Sequence, residues 1–128
     1  MARLADVVFD CAHPAVVARL WAGALDGYAV APYDDAELAR LRSIGVDNPE
    51  DDPTVLVEGP PGAPRLWFQL VPEAKVVKNR VHLDLHTDEL DAEVVRLMGL
   101  GGRVLWPERD GLVVMADVEG NEFCVTTR

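Results

Sequence analysis

The chain repeats a short pattern at a spacing of 74 residues, and this repeat limits the folds it can adopt. Residues 7–11 (VVFDC) align with residues 81–85 (VHLDL), and Gly27 aligns with Gly101. Apolar residues alternate in 7–11, which is the period of a strand, and recur every fourth position over 90–98, which is the spacing of a helix face. Each half is therefore predicted to begin with a strand and continue into an amphipathic helix that stops at a glycine. We interpret the repeat as a duplication.

The remainder of each half is predicted to form strands. In the first half these are 27–31, 54–58 and 65–71, the last two separated by a Gly-Pro-Pro-Gly turn. In the second half they are 103–106, 111–116 and 122–126, with turns at 107–110 and 118–121.

Residues 33–53 form an acidic insert that only the first half contains. Within it, 34–43 is predicted to be a short helix capped by Asp34 or Asp35, and 46–52 a loop. The insert is either a lid over a ligand site or a solvated loop, and the sequence does not decide between them.

These elements predict an α+β fold, a single domain over residues 1–128 built from two paired βαβββ modules, about 1–74 and 75–128. We expect the modules to form a cup-shaped mixed sheet with flanking helices. On the opening strand of each half and on the last strand, the predicted core face carries Val7, Phe9, Cys11, Val81, Leu83, Leu85, Phe123 and Val125. The opposite face, which would line the cup, carries Val8, Asp10, His82, Asp84, His86, Glu122, Cys124 and Thr126.

Charge and composition argue against several classes of function. Twelve basic and twenty-two acidic residues give a formal charge of -10, which disfavours nucleic-acid binding. No apolar run approaches the length of a membrane span, and Asp6 and Asp10 interrupt the only N-terminal apolar stretch. We therefore expect a cytoplasmic protein whose two cysteines are reduced.

Two longer motifs carry a resemblance to a known family. Residues 72–85 (PEAKVVKNRVHLDL) and 117–125 (DVEGNEFCV) are similar to the signatures of glyoxalase-like domains, with Val118 where that family has proline. Residues 10–14 (DCAHP) and Trp21 also fit. These domains belong to the vicinal oxygen chelate superfamily, which includes glyoxalase, extradiol dioxygenases and bleomycin-resistance proteins. The resemblance implies paired βαβββ modules and, often, a homodimer.

The resemblance also implies a divalent metal held by the first and last strands of both modules, mostly through His and Glu. His82 matches that pattern, whereas Gln69 stands where Glu is common and Cys124 stands where the last Glu is expected. The first strand offers Val8, or Asp6 in a shifted alignment. His82, Gln69 and Cys124 are thus the candidate metal ligands, a set that suits zinc better than a hard cation. Whether any metal is the cofactor is left open.

The remaining candidate residues have both functional and structural interpretations. His82 and Glu122 are the candidate catalytic groups, and substrate contacts are assigned to Gln69, Trp67, Asp84 and Trp106. Asp84 would orient the His82 ring or be a surface charge. Cys124 would be a metal ligand or an inert, partly buried thiol, and Trp21 is expected in the core.

The expected function is to bind a small molecule in the cup. One alternative is a lyase, isomerase or dioxygenase acting on an unknown substrate. The other is a non-catalytic antibiotic-binding protein of the bleomycin-resistance type, which the acidic charge would suit if the ligand were cationic. Ordinary glyoxalase activity is not expected, because the set of metal ligands is incomplete.

Overall fold

Two four-stranded mixed sheets, one in each half of the chain, form the framework of the protein. The structure is a computed structural model that describes all residues, Met1–Arg128. The strands are β1 (Asp6–Cys11), β2 (Ala29–Val30), β3 (Thr54–Glu58), β4 (Arg65–Leu70), β5 (Leu83–His86), β6 (Arg103–Arg109), β7 (Leu112–Ala116) and β8 (Glu122–Thr126). The helices are α1 (Pro14–Ala24), α2 (Asp35–Ser43) and α3 (Leu90–Gly99), with a 3₁₀ turn at Pro49–Asp51. None of the helices combines the length and the apolar composition that crossing a bilayer requires.

Strand order is the same in both sheets. The first sheet has the order β1-β4-β3-β2 and the second β5-β8-β7-β6. In each sheet the first strand is parallel to the last strand of its module, and the other neighbours are antiparallel. The prediction of an α+β fold made of two βαβββ modules is therefore confirmed. The chain divides into two compact units, Met1–Ala74 and Lys75–Arg128.

The core of the first unit lies between α1 and one face of the first sheet. Helix α1 begins at Pro14, whose missing N–H costs nothing at the first helical position, and buries seven residues. The Phe9 ring lies 5.0 Å from the Trp21 ring and 4.9 Å from the Phe68 ring. Trp21 is 1% exposed, so its predicted place in the core is confirmed. Each such buried large side chain contributes about 1.5–3 kcal/mol through the hydrophobic effect.

The core of the second unit depends more on its strands than on its helix. Phe123 and Val125 are fully buried, as predicted, but Leu97 is the only buried residue of α3. The prediction that Val81 belongs to the core face is wrong, because its side chain is 78% exposed. The reason is that β5 begins at Leu83, so Val81 and His82 lie in the segment that precedes the strand rather than within it.

The hairpin of the second unit differs from the predicted turn. Strand β6 continues through Pro107 to Arg109, so the turn expected at 107–110 is wrong. A proline is tolerated there because β6 is an edge strand and its pairing with β7 is irregular on both sides of Trp106. The chain reverses instead at Asp110 and Gly111, which both have positive φ, as a two-residue hairpin turn requires.

The acidic insert is folded onto the first unit. Helix α2 is capped by Asp34, whose carboxylate accepts a hydrogen bond from the Glu37 N–H at 2.9 Å, as predicted. The loop predicted at 46–52 contains the 3₁₀ turn, which Asn48 caps. Leu41 and Asp52 are 1% and 2% exposed, so the insert is anchored by buried side chains and is not a solvated loop.

Candidate functional site

A cavity of about 590 Å³ lies in the first unit, between the insert and the first sheet. Because β3 and β4 direct Val55, Val57, Leu66 and Phe68 into the core, the alternate residues of these strands lie on the opposite face. We call this space the first-sheet cavity. Its lining residues are Ala31, Pro32, Tyr33, Asp34, Glu37, Arg40, Asp52, Thr54, Leu56, Glu58 and Trp67.

A buried carboxylate fixes one side of the first-sheet cavity. Asp52 accepts hydrogen bonds from the Tyr33 hydroxyl at 2.7 Å and from the Thr54 N–H at 2.9 Å. The Arg40 guanidinium lies 3.5 Å from the same carboxylate and 3.0 Å from that of Glu37. Burial, then the hydrogen bond to Asp52 and its negative charge, raise the pKa of Tyr33 far above its usual value, so the phenol remains a donor in alkaline solution where an ordinary tyrosine ionises. This network holds the insert against β3.

The lining of the first-sheet cavity is predominantly acidic. Four carboxylates, those of Asp34, Glu37, Asp52 and Glu58, face one guanidinium, that of Arg40. Glu58 is exposed and its carboxylate forms no hydrogen bond or ion pair, unlike the other three.

Trp67 supplies an aromatic surface beside these carboxylates. Its side chain is half-buried on β4, and the guanidinium carbon of Arg65 lies 5.8 Å from the ring centroid. That separation is within the range of a cation–π interaction. Arg65 is itself paired with Asp6 at 2.7 Å, so its charge is already compensated. The Trp67 ring and the exposed Glu58 carboxylate, which also acts on the charge of Arg65, both line the cavity.

A second group of functional side chains lies in the second unit. The ligand atoms of His82, Asp84 and Cys124 all fall within 4.8 Å of one another, and we call these residues the Cys124 cluster. His82 Nε2 and Asp84 Oδ1 are 3.6 Å apart. Asp84 and Cys124 are register partners on the parallel strands β5 and β8, and His82 lies just before β5, two residues from Asp84.

The Cys124 cluster contains donors of three chemical kinds. Burial raises the pKa of the Cys124 thiol, and the charge of Asp84 and the hydrogen bond that the thiol donates to Asp84 raise it further. An uncharged thiol is a weak nucleophile. Imidazole nitrogen, carboxylate oxygen and sulfur together match the ligands of zinc, whereas magnesium and calcium take oxygen. The residues present therefore fit a zinc ion and not a hard cation.

Glu122 lies in a different environment from the Cys124 cluster. Its carboxylate accepts hydrogen bonds from Lys75 Nζ at 2.7 Å and from the Asn79 N–H at 2.9 Å, and its side chain is 11% exposed. Burial alone would raise the pKa of Glu122, but these donors outweigh it and lower the pKa to about 2. The group is ionised at neutral pH and fastens residues 75–79 to β8.

The other predicted site residues belong to both units. Gln69 donates a hydrogen bond to Asp10 in the first sheet, with 3.0 Å between the atoms. Trp106 is 57% exposed on β6 and does not line the first-sheet cavity, whereas Trp67 does. Sequence reasoning missed Tyr33, Asp52 and Glu58. The usable signal was that the insert occurs in only one of two otherwise similar halves.

Comparisons with known proteins agree with this architecture. The family model described as "Glyoxalase-like domain" matches residues 6–126. No curated protein matches the chain. Among solved structures, the fosfomycin resistance protein FosX from Mesorhizobium loti has a TM-score of 0.67 at 16% identity, covering 100% of this chain and 93% of that one.

Two further solved structures have the same fold at low identity. A glyoxalase/bleomycin resistance protein/dioxygenase family enzyme from Burkholderia phytofirmans PsJN has a TM-score of 0.65 at 15% identity, with 97% of each chain covered. A mutant FosX from Listeria monocytogenes, complexed with Mn(II) and 1S,2S-dihydroxypropylphosphonic acid, has a TM-score of 0.65 at 9% identity. The match with this FosX covers 100% of this chain and 94% of that one.

Proposed function

Because the chain belongs to the glyoxalase-like domain family, we propose that it binds a small organic molecule, and that this ligand occupies the first-sheet cavity. The observation that carries the proposal is the cavity itself. Its volume of about 590 Å³ lies in the range of small-molecule sites, and it combines an aromatic side chain with a few fixed polar groups.

The charges of the lining favour a flat organic cation as the ligand. Four carboxylates against one guanidinium leave the cavity with an excess of negative charge, and Arg40 is already paired with Glu37 and Asp52. Trp67 adds an aromatic ring that attracts cations, as its contact with Arg65 illustrates, and Glu58 adds an exposed carboxylate. This chemistry supports a non-catalytic binding role of the bleomycin-resistance type, and the formal charge of -10 would also attract a cation over a distance.

The test compares three probes of similar shape: N-methylquinolinium, neutral quinoline and a quinoline carboxylate. We expect calorimetry to detect the cation alone or most strongly, with affinity that falls as salt rises. Glu58→Gln should weaken binding of the cation by about fivefold to tenfold, and Glu73→Gln, which removes an exposed carboxylate outside the cavity, should not. If no probe binds, or if Trp67→Leu leaves binding unchanged, the cavity is not the ligand site.

A catalytic role is the second candidate function, and the Cys124 cluster is the observation that favours it. A divalent metal bound there would polarise substrate oxygens, as expected for a lyase, isomerase or dioxygenase. Without a metal, His82, with 46% of its side chain exposed, would instead orient a substrate or accept a proton from it. Turnover of a bound substrate that is lost in His82→Ala, with binding retained, would establish this role.

The proposed function also implies how the protein assembles and where in the cell it acts. We propose a homodimer, because Val95, Met98 and Trp106 of the second unit are more than half exposed, and large exposed apolar side chains favour association. Light scattering on the purified protein would test this. A cytoplasmic location agrees with the two free cysteines, which a reducing compartment preserves.

A further inference from the structure

We infer that a second cavity, on the helix side of the first sheet, is a binding site for a small uncharged organic molecule. This helix-side cavity has a volume of about 420 Å³, which lies in the range of small-molecule sites. It is lined by Ala15 of α1 and by Val55 of β3, which is directed into the core. The first-sheet cavity is lined instead by Thr54 and Leu56, on the opposite face of β3. The inference goes beyond the proposed function and does not depend on it.

Much of the wall of the helix-side cavity is apolar. Helix α1 contributes Ala15, and strands β2 and β3 contribute Val30 and Val55. Ala15 and Val55 are 8% and 2% exposed, so the cavity borders directly on the packed core of the first unit. A ligand that occupies the cavity buries apolar surface of its own against this core. That burial is the main favourable contribution to its binding.

The two charged side chains of the lining neutralise each other. Arg19 donates two hydrogen bonds to the Glu50 carboxylate, each 2.7 Å long. The helix-side cavity therefore has no net charge, whereas four carboxylates and one guanidinium line the first-sheet cavity. A charged ligand would lose hydration in the helix-side cavity without gaining an opposite charge that is free to pair with it. The lining thus selects an uncharged molecule.

Hydrogen bonds hold the polar groups around the helix-side cavity in place. The Glu50 N–H donates to the Asn48 side chain at 2.9 Å, and the Tyr33 hydroxyl donates to Asp52 at 2.7 Å. Tyr33 lines both cavities, so one fixed ring forms part of each wall. Because these groups are already ordered, a ligand does not have to order them when it binds. The N–H groups of Arg19 and Asn48 suit a hydroxyl or carbonyl oxygen of the ligand.

The insert restricts this cavity to the first module. Part of the lining, Asn48–Glu50, comes from the insert, which the second half of the chain lacks. At the offset of 74 residues, Arg19 corresponds to Glu93, which pairs with Arg96 on its own helix at 2.6 Å. The arrangement of a guanidinium from the helix and a carboxylate from the insert is therefore not repeated. We expect one uncharged ligand per chain.

The test titrates the full chain with 1-naphthol and with two charged molecules of similar size, 1-naphthoate and 1-naphthylmethylammonium. Amide NMR spectra locate the binding. We expect 1-naphthol to shift the signals of Ala15, Val30 and Asn48, whereas those of Glu58 and Trp67 in the first-sheet cavity stay in place. The affinity should not depend on salt, because no net charge is involved. The two charged molecules should leave the signals of Ala15, Val30 and Asn48 unchanged.

Two equivalent substitutions on α1 form a matched pair. Ala15→Met places a longer apolar side chain in the helix-side cavity, and should weaken 1-naphthol binding by about tenfold or more. Ala22→Met, on the same helix but outside the lining, should leave the affinity unchanged. The inference is overturned if 1-naphthol does not bind, if it shifts Glu58 and Trp67 instead, or if a folded Ala15→Met protein binds it as well as the unmodified chain does.

A charge variant decides the question if Ala15→Met does not fold. Glu50→Gln changes an exposed side chain and leaves the Arg19 guanidinium uncompensated, so 1-naphthoate should bind about tenfold more tightly than to the unmodified chain. Glu73→Gln, which removes an exposed carboxylate outside the lining, should not have this effect. Equal binding of 1-naphthoate and 1-naphthol to the unmodified chain, or no gain in Glu50→Gln, would also overturn the inference.

Discussion

Gln69 donates a hydrogen bond to Asp10 across the parallel strands β1 and β4, with 3.0 Å between the two atoms. The same register position in the second sheet, across β5 and β8, is occupied by Asp84 and Cys124. The duplicated sheets therefore keep one aspartate at an equivalent place while its partner differs. An amide satisfies the carboxylate in the first sheet, whereas a thiol places a metal-binding atom beside it in the second.

Tyr33→Phe is expected to destabilise the protein by about 1 kcal/mol. The change removes the hydrogen bond from the Tyr33 hydroxyl to the Asp52 carboxylate, which is 2% exposed, while Thr54 and Arg40 still compensate that carboxylate. Urea unfolding of both proteins gives the difference in free energy of unfolding. A difference below the error of the measurement would show that water replaces the hydroxyl without cost.

The phenol of Tyr33 should also make stability decrease in alkaline solution. Its pKa is raised in the folded state, chiefly by burial, so the unfolded chain loses this proton first as pH rises past about 10. The contribution is therefore fully present below that pH and is lost as pH rises toward the higher folded pKa. Tyrosinate absorbance, compared between the unmodified protein and Tyr33→Phe, should place this phenol's titration above that of an ordinary tyrosine. Titration at the ordinary pH would contradict the structure.

Glu122→Gln is expected to destabilise the protein by about 1–3 kcal/mol. The substitution weakens the hydrogen bonds from Lys75 and Asn79 to a carboxylate that is 11% exposed, and it leaves the Lys75 ammonium without its partner. Thermal or urea unfolding measures the effect. Glu73→Gln is the matched control, because Glu73 is exposed and forms no ion pair, and it should change stability by less than about 0.5 kcal/mol.

Two tryptophans should respond differently to substitution. Trp21→Ala empties a site that is 1% exposed and touches Phe9, and should cost about 3–5 kcal/mol of stability. Trp67→Ala changes a half-buried ring of the first-sheet cavity, and should cost less stability while abolishing binding of the N-methylquinolinium cation. Unfolding curves and calorimetry on both variants separate the two roles. Equal losses of stability would contradict the assignment of Trp67 to the cavity.

Much of the fold followed from local patterns in the sequence. The repeat at 74 residues indicated two βαβββ modules because each strand and helix carries its own apolar period, and these periods can be read without knowing what packs against them. Asp34 identified the start of α2 for the same reason, since a capping carboxylate acts within one helical turn. The cup shared by both modules stays a prediction.

The sequence by itself determined the modules, the core tryptophan and the residue types available for binding. Only the tertiary structure decided which of these residues meet. Cys124 and Asp84 are 40 positions apart and become neighbours through strand pairing. Tyr33 and Asp52 meet because the insert folds back on β3. Contacts of this kind depend on strand register and on chain reversals, which arise from the packing of the whole module and leave no local period in the sequence.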